Sequence, residues 1–203
     1  MVGAALLTAD PVRAQLVTGW GLGTTWSNMV TSETNGGWQG NSPRRHFTLW
    51  VTKHLGYRGP VKMDVAAHLV PKGFEVTGPT IHAEWLDIPF TVTLPARGSG
   101  LFFSGGPYVG LRVHCSRSAR TVIGLVDEGC GRYEEDPLNW DPIRWWDVGV
   151  RGDVGLRFTN EERGSFMIGA GMSRSIIDLR PEDFGRTRNE VASLWVAFEG
   201  PVR

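Results

Sequence analysis

Between Trp146 and Phe158 apolar and polar positions alternate. Trp146, Val148, Val150, Val154, Leu156 and Phe158 fall on even numbers, and Asp147, Arg151, Asp153 and Arg157 on odd ones. Successive side chains of a β-strand point to opposite faces of its sheet, so this stretch reads as a strand with one apolar face and one charged face. The pattern recurs along the chain. In 101–115, Leu101, Phe103, Val109, Leu111 and Val113 oppose Ser104, Gly106, Tyr108, Gly110, Arg112 and His114. In 165–175, Phe166, Ile168, Ala170 and Met172 oppose Ser165, Gly169, Gly171 and Ser173, and in 61–70 Val61, Met63, Val65 and Leu69 oppose Lys62, Asp64 and His68. Leu194, Val196 and Phe198 form one side of a last strand.

Eight such runs are expected, at 16–28, 45–55, 61–70, 81–94, 101–115, 145–158, 165–175 and 189–198. The two faces have opposite meanings in two architectures. A soluble sandwich or lipocalin-like barrel turns its apolar face inward, whereas a membrane barrel turns it to lipid. Run length favours the membrane, because about 9 to 11 residues cross a bilayer at a steep tilt and soluble strands average nearer five or six. So do the connections, read as long after the first, third, fifth and seventh runs and short after the second, fourth and sixth. The expectation is an all-β, eight-stranded antiparallel up-and-down transmembrane β-barrel. Several of the nine tryptophans lie near run ends, as interfacial girdles require. Trp50, Trp85 and Trp195 fit less well, since their parity points them inward.

Composition sharpens this picture at a few points. The 27 glycines suit many strands in a narrow barrel. Lys plus Arg equals Asp plus Glu at 21 each, so no global charge recruits nucleic acid. No apolar run is long enough for a transmembrane helix. Residues 1–14 read as the residue of a secretory signal, apolar from Val2 to Leu7 with a small-residue cleavage site at Val12-Arg13-Ala14, which leaves one domain over 15–203. In an exported chain Cys115 and Cys130 are expected to form a disulfide, the alternative being two free thiols. One nearby histidine, His114, and the lack of a CxxC pair argue against a metal centre.

With these features in place, FFSGGPYVGLRV, WWDVGVRGDVGLRF, SFMIGAGMSRSIIDL and RTRNEVASLWVAF together resemble, in order and spacing, the second half of the small porin-family outer-membrane β-barrel proteins. AQLVTGWGLGTTWSN is similar to that family's mature N-terminus, and KGFE followed by EWLDIPFTV to its third and fourth strands. The resemblance implies an outer-membrane location and no established reaction. It departs at the end, where Phe198 is followed by five further residues instead of closing the chain.

Candidate chemistry lies in the inward charges Lys62, Asp64, Asp87, Arg112, Asp147, Arg151, Asp153 and Arg157, with Glu190 a further candidate. They can line a polar conduit or pair as lumen packing, and packing is favoured because an eight-stranded interior is only wide enough for side chains. Both signs are present, as buried charges require. An outer-membrane lipid-modifying esterase needs a serine, a histidine and an acid at one rim. His46, His54, His68, His82 and His114 occur with Ser104 and Ser173, but no G-x-S-x-G elbow does, and the chain is expected not to be an enzyme. Glu134, Glu135 and Asp136 in the long loop after residue 115 form a candidate recognition surface. No cofactor and no metal are expected. The expected partners are membrane lipid, the barrel-insertion machinery and an unspecified loop ligand, with the barrel itself a monomer.

Overall fold

The computed structural model describes residues 18–31, 44–58, 61–75, 80–95, 100–121, 124–129, 144–160, 163–179 and 187–200. These form nine antiparallel strands: β1 (Gly19–Thr31), β2 (Arg44–Arg58), β3 (Val61–Glu75), β4 (Thr80–Pro95), β5 (Leu101–Thr121), β6 (Gly124–Gly129), β7 (Trp146–Asn160), β8 (Gly164–Ser175) and β9 (Thr187–Glu199). Eight of them close a ring in the order β1-β2-β3-β4-β5-β7-β8-β9, with β9 pairing back onto β1. β6 is the unforeseen element. It lies in the stretch read as a polar excursion and folds back on the outer part of β5, with Ser116 opposite Gly129 and Thr121 opposite Gly124.

Following partners once round from Gly56 through Met63, Val92, Gly105, Gly152, Met172, Ala192 and Trp26 leads back to Arg45, eleven residues along β2. One of those eleven is the bulged Leu55, so the stagger is ten residues. With strands about 4.8 Å apart and a rise of about 3.3 Å per residue, that stagger tilts them by about 40° and sets a backbone radius of about 8 Å. Inward side chains fill such a space.

The alternating connection lengths hold only in part. β2–β3, β4–β5 and β7–β8 turn tightly at one end, but β3 and β4 are also separated by only four residues at the other. The supposed third loop is strand, because Pro71–Glu75 pairs with Thr80–Glu84 beyond the expected strand ends.

The faces follow the sequence parity up to a bulge at Val113, beyond which His114, expected inward, is exposed opposite the outward Glu84. Leu22, Phe47, Leu49, Val51, Ile88, Phe90, Phe103, Val109, Val150, Val154, Leu156, Ile168, Met172 and Leu194 are exposed on the outer wall. Thr25, Thr48, Lys62, Asp64, Lys72, Asp87, Asp147 and Ser193 are buried within. Trp50, Trp85 and Trp195 are buried too, so their inward parity was the informative signal and the girdle the wrong place for them. Glycine makes room for these bulky groups. A Cβ at Gly21 would overlap the Trp50 ring, and one at Gly149 the Tyr108 ring and the Arg174 carbonyl. Gly149→Ala is therefore expected to cost about 1–3 kcal/mol in urea unfolding from lipid vesicles. Gly152→Ala, whose Cβ would meet only the Ser104 carbonyl at 4.0 Å, is expected to stay within about 0.5 kcal/mol.

Candidate functional site

The interior is built in three layers. Nearest the long-loop end, Lys72 Nζ lies 2.8 Å from Asp87 Oδ1 and 3.1 Å from Asp147 Oδ2. Its ammonium also sits 4.9 Å from the centroids of both the Trp85 and Tyr108 rings. Asp147 accepts two further hydrogen bonds on Oδ2, from Tyr108 Oη at 2.9 Å and Ser175 Oγ at 3.0 Å. The side chains of Lys72 and Asp147 are 1% and 0% exposed, so no bulk water shares the load. Among the described residues one cation serves two carboxylates here, and the neutral hydroxyls of Tyr108 and Ser175 add their donors on Asp147 Oδ2.

In the middle layer Arg151 grips Asp153 through two parallel bonds, Nε to Oδ2 and Nη2 to Oδ1, each 2.8 Å. Its Nη1 reaches His68 Nδ1 at 3.2 Å, and Trp195 Nε1 donates to Asp153 Oδ1 at 3.0 Å. Trp50 stacks on His68 at 5.0 Å and meets Trp195 edge-on at 5.8 Å. At the short-turn end Asp64 pairs with His54 at 3.0 Å and Lys62 at 3.2 Å. Glu199 contacts Lys62 and lies 3.5 Å from Arg157, whose guanidinium covers Phe102.

Seven of the eight expected lumen charges, Lys62, Asp64, Asp87, Asp147, Arg151, Asp153 and Arg157, thus lie in these layers. Arg112 is half-buried and lies directly opposite Trp85 in the β4–β5 ladder, near the long-loop end. Glu190 is corrected. It shares the outer face with Leu194 and pairs with Arg174 at 3.1 Å on the outside of the barrel, as its even number on β9 requires. Lys72 and Glu199 were missed. Pro71-Lys72-Gly73 carries turn chemistry, yet Lys72 continues the even series Lys62, Asp64, His68. Glu199 continues the odd series Ser193, Trp195, Ala197 past the apparent end at Phe198. Cys115 is disulfide-bonded, while Cys130, Glu134, Glu135, Asp136 and residues 1–14 lie outside the described residues.

A cavity of about 80 Å³ separates the middle layer from the short-turn end, bordered by Thr52, Thr91, Thr93, Ser104, His68, Arg151 and Arg157. That is room for a few waters, against the roughly 300–1,000 Å³ of small-molecule sites. Among the described residues no group of three His, Cys, Asp or Glu side chains is placed to hold a metal ion.

The outer wall completes the assignment. Trp20, Phe198, Phe166 and Phe158 form a continuous row of ring contacts across β1, β9, β8 and β7 near the short-turn end. Above that row, outward positions on the same strands carry Leu22, Val196, Leu194, Ile168, Met172, Leu156, Val154 and Val150, and no charge until Arg174 and Glu190. Eight residues on β9 separate Glu190 from Phe198, and twelve on β7 separate Trp146 from Phe158. At the tilt above these spans are about 20 and 30 Å, either side of the roughly 25 Å apolar band of a membrane barrel. The charged interior and apolar exterior invert the order of a soluble lipocalin-like barrel, so that alternative falls. The chain is an outer-membrane-type β-barrel.

The sequence matches no protein-family model, and no curated protein matches it. Solved structures with a similar fold include Neisserial surface protein A, at 10% identity over 89% of this chain and 96% of that one with a TM-score of 0.47. Ail, the attachment invasion locus protein of Yersinia pestis, aligns at 10% identity over 89% and 96% with a TM-score of 0.46. OprG from Pseudomonas aeruginosa aligns at 13% identity over 91% and 94% with a TM-score of 0.37. Each is a likeness of fold, and no residue role is carried over from any of them.

Proposed function

We propose that this barrel is a sealed, non-enzymatic outer-membrane protein that acts through its outer loops, as a structural or ligand-binding element and not as a large-pore transporter. The observation that carries the reading is the Lys72–Asp87–Asp147 layer, closed by Trp85 and Tyr108. A solute following the lumen would have to separate buried ion pairs before passing. The carboxylates Asp87, Asp147 and Asp153 are each engaged by Lys72 or Arg151, which supports packing over catalysis. The ring is closed along its wall, which supports a monomer whose partners are lipid, the insertion machinery and whatever the loops bind.

In planar bilayers the purified protein is expected to show no stable open-channel steps of the size an unobstructed pore gives. Large, long-lived steps from the unmodified protein would overturn the sealed reading.

A further inference from the structure

Among the described side chains the outer wall carries a one-sided belt of arginines at the long-loop edge of the apolar band, and the sealed lumen has no use for it. On β2, Arg45 is exposed, and its Nε donates to Thr24 Oγ1 at 3.1 Å, which lays the side chain along the wall. On β8, Arg174 is 56% exposed, and on β9 Arg188 sits one outward position beyond Glu190 toward the loops. At the start of β7, Arg144 lies 5.9 Å from the ring centroid of outward-facing Trp146. On β1 between β9 and β2, Trp26 pairs with Arg45 on one side and Ala192 on the other. Five neighbouring strands, β7-β8-β9-β1-β2, therefore present guanidinium groups and tryptophans at the boundary of the lipid band.

Among the described residues no carboxylate pairs with Arg45, Arg144 or Arg188, and Glu190 answers only Arg174. On the far side of the ring the outward charge at the same end of β4 is the acid Glu84. On the outer-membrane reading, the wall at this height faces the headgroup layer of the outer leaflet. All outward cations of the belt are arginine, whose planar, weakly hydrated fork suits bidentate contact with phosphate.

We propose that the Arg45–Arg174–Arg188 face binds the phosphate groups of an anionic, phosphorylated glycolipid of the outer leaflet. The proposal rests on the outer-membrane reading above. Glu190 is then a built-in competitor, since it occupies Arg174 whenever phosphate does not.

The test uses the full chain in phosphatidylcholine vesicles, with energy transfer from tryptophan to a dansyl-labelled diphosphorylated lipid A as the titration. Arg45→Gln/Arg174→Gln/Arg188→Gln is expected to weaken that transfer roughly 10- to 100-fold in lipid concentration. Glu190→Gln, which removes the competitor and leaves every arginine in place, is expected to strengthen it by about threefold or more. The second variant keeps the proposal testable should the triple one fail to fold. Dephosphorylated lipid A is expected to show no preference for the wild type over the triple variant. Equal titration of wild type and triple variant, or weaker binding by Glu190→Gln, would overturn the proposal. So would displacement of the lipid by inorganic phosphate at comparable concentration, which would make the ligand a free anion. Insertion into pure phosphatidylcholine without open-channel steps would leave the sealed-barrel reading standing even then.

Discussion

Lys72→Met is expected to cost about 3–5 kcal/mol of barrel stability, measured by urea unfolding from lipid vesicles. Methionine keeps an unbranched stem between the Trp85 and Tyr108 rings, so little packing is lost. What disappears is the one cation between Asp87 and Asp147, at 2.8 and 3.1 Å. Two carboxylates would then share a nearly dry layer with only the Tyr108 and Ser175 hydroxyls as donors to Asp147. Coulomb attraction in a low-dielectric interior offsets the desolvation of all three charges only while they are together, so removing one strands the others. The companion variant Lys72→Met/Asp87→Leu/Asp147→Leu removes every charge of the layer and is expected to recover most of the loss. A single-variant cost below about 1 kcal/mol, or a triple variant less stable than the single one, would show that this layer is not held by its charges.

The fold was legible because a closed barrel imposes one rule on every strand. With a period of two and a single inside, the parity of any placed residue fixes its neighbours up to the next bulge, at Leu55 in β2 and Val113 in β5. That rule puts Asp147, Arg151, Asp153 and Arg157 inside β7, and it places Trp50, Trp85 and Trp195 correctly against the expectation that tryptophans belong at the interface. It also contradicts the inward reading of Glu190, whose number matches Leu194 and Phe198. The failures came where local chemistry spoke against parity. Pro71 and Gly73 are turn formers, yet β3 runs through them because Pro71–Glu75 has a partner in Thr80–Glu84, and pairing outweighs propensity. Lys72, the central cation of the seal, was hidden by its two neighbours. β6 was hidden for a different reason: its six residues GLVDEG show no period-two alternation of apolar and polar positions to detect. Which charges pair was not readable at all. Pairing depends on the ten-residue stagger, which brings Lys72 of β3 to Asp147 of β7, and no single strand encodes that stagger.

Val150→Arg tests the outer face as Lys72→Met tests the inner one. Val150 is 50% exposed on the outer wall of β7, flanked by Pro107 of β5 and Arg174 of β8, inside the band between the Phe158 row and the arginine belt. In lipid that exposure is contact with acyl chains, and a guanidinium placed there is expected to cost about 2–4 kcal/mol, against about 0–1 kcal/mol for Phe158→Arg near the interface. The neighbouring inward residue gives the opposite sign to the same chemistry. Arg151→Leu removes an arginine and is also expected to destabilise, because Asp153 loses a bidentate partner in a site where its side chain is 7% exposed. A barrel with its apolar face inward would also reject Arg at 150 but would lose little from Arg151→Leu, so equilibrium unfolding of the three variants in vesicles separates the architectures. A neutral Val150→Arg with a costly Phe158→Arg would move the lipid band toward the short-turn end. It would also take the arginine belt out of the headgroup layer, since both assignments depend on where along β7 the acyl chains stop.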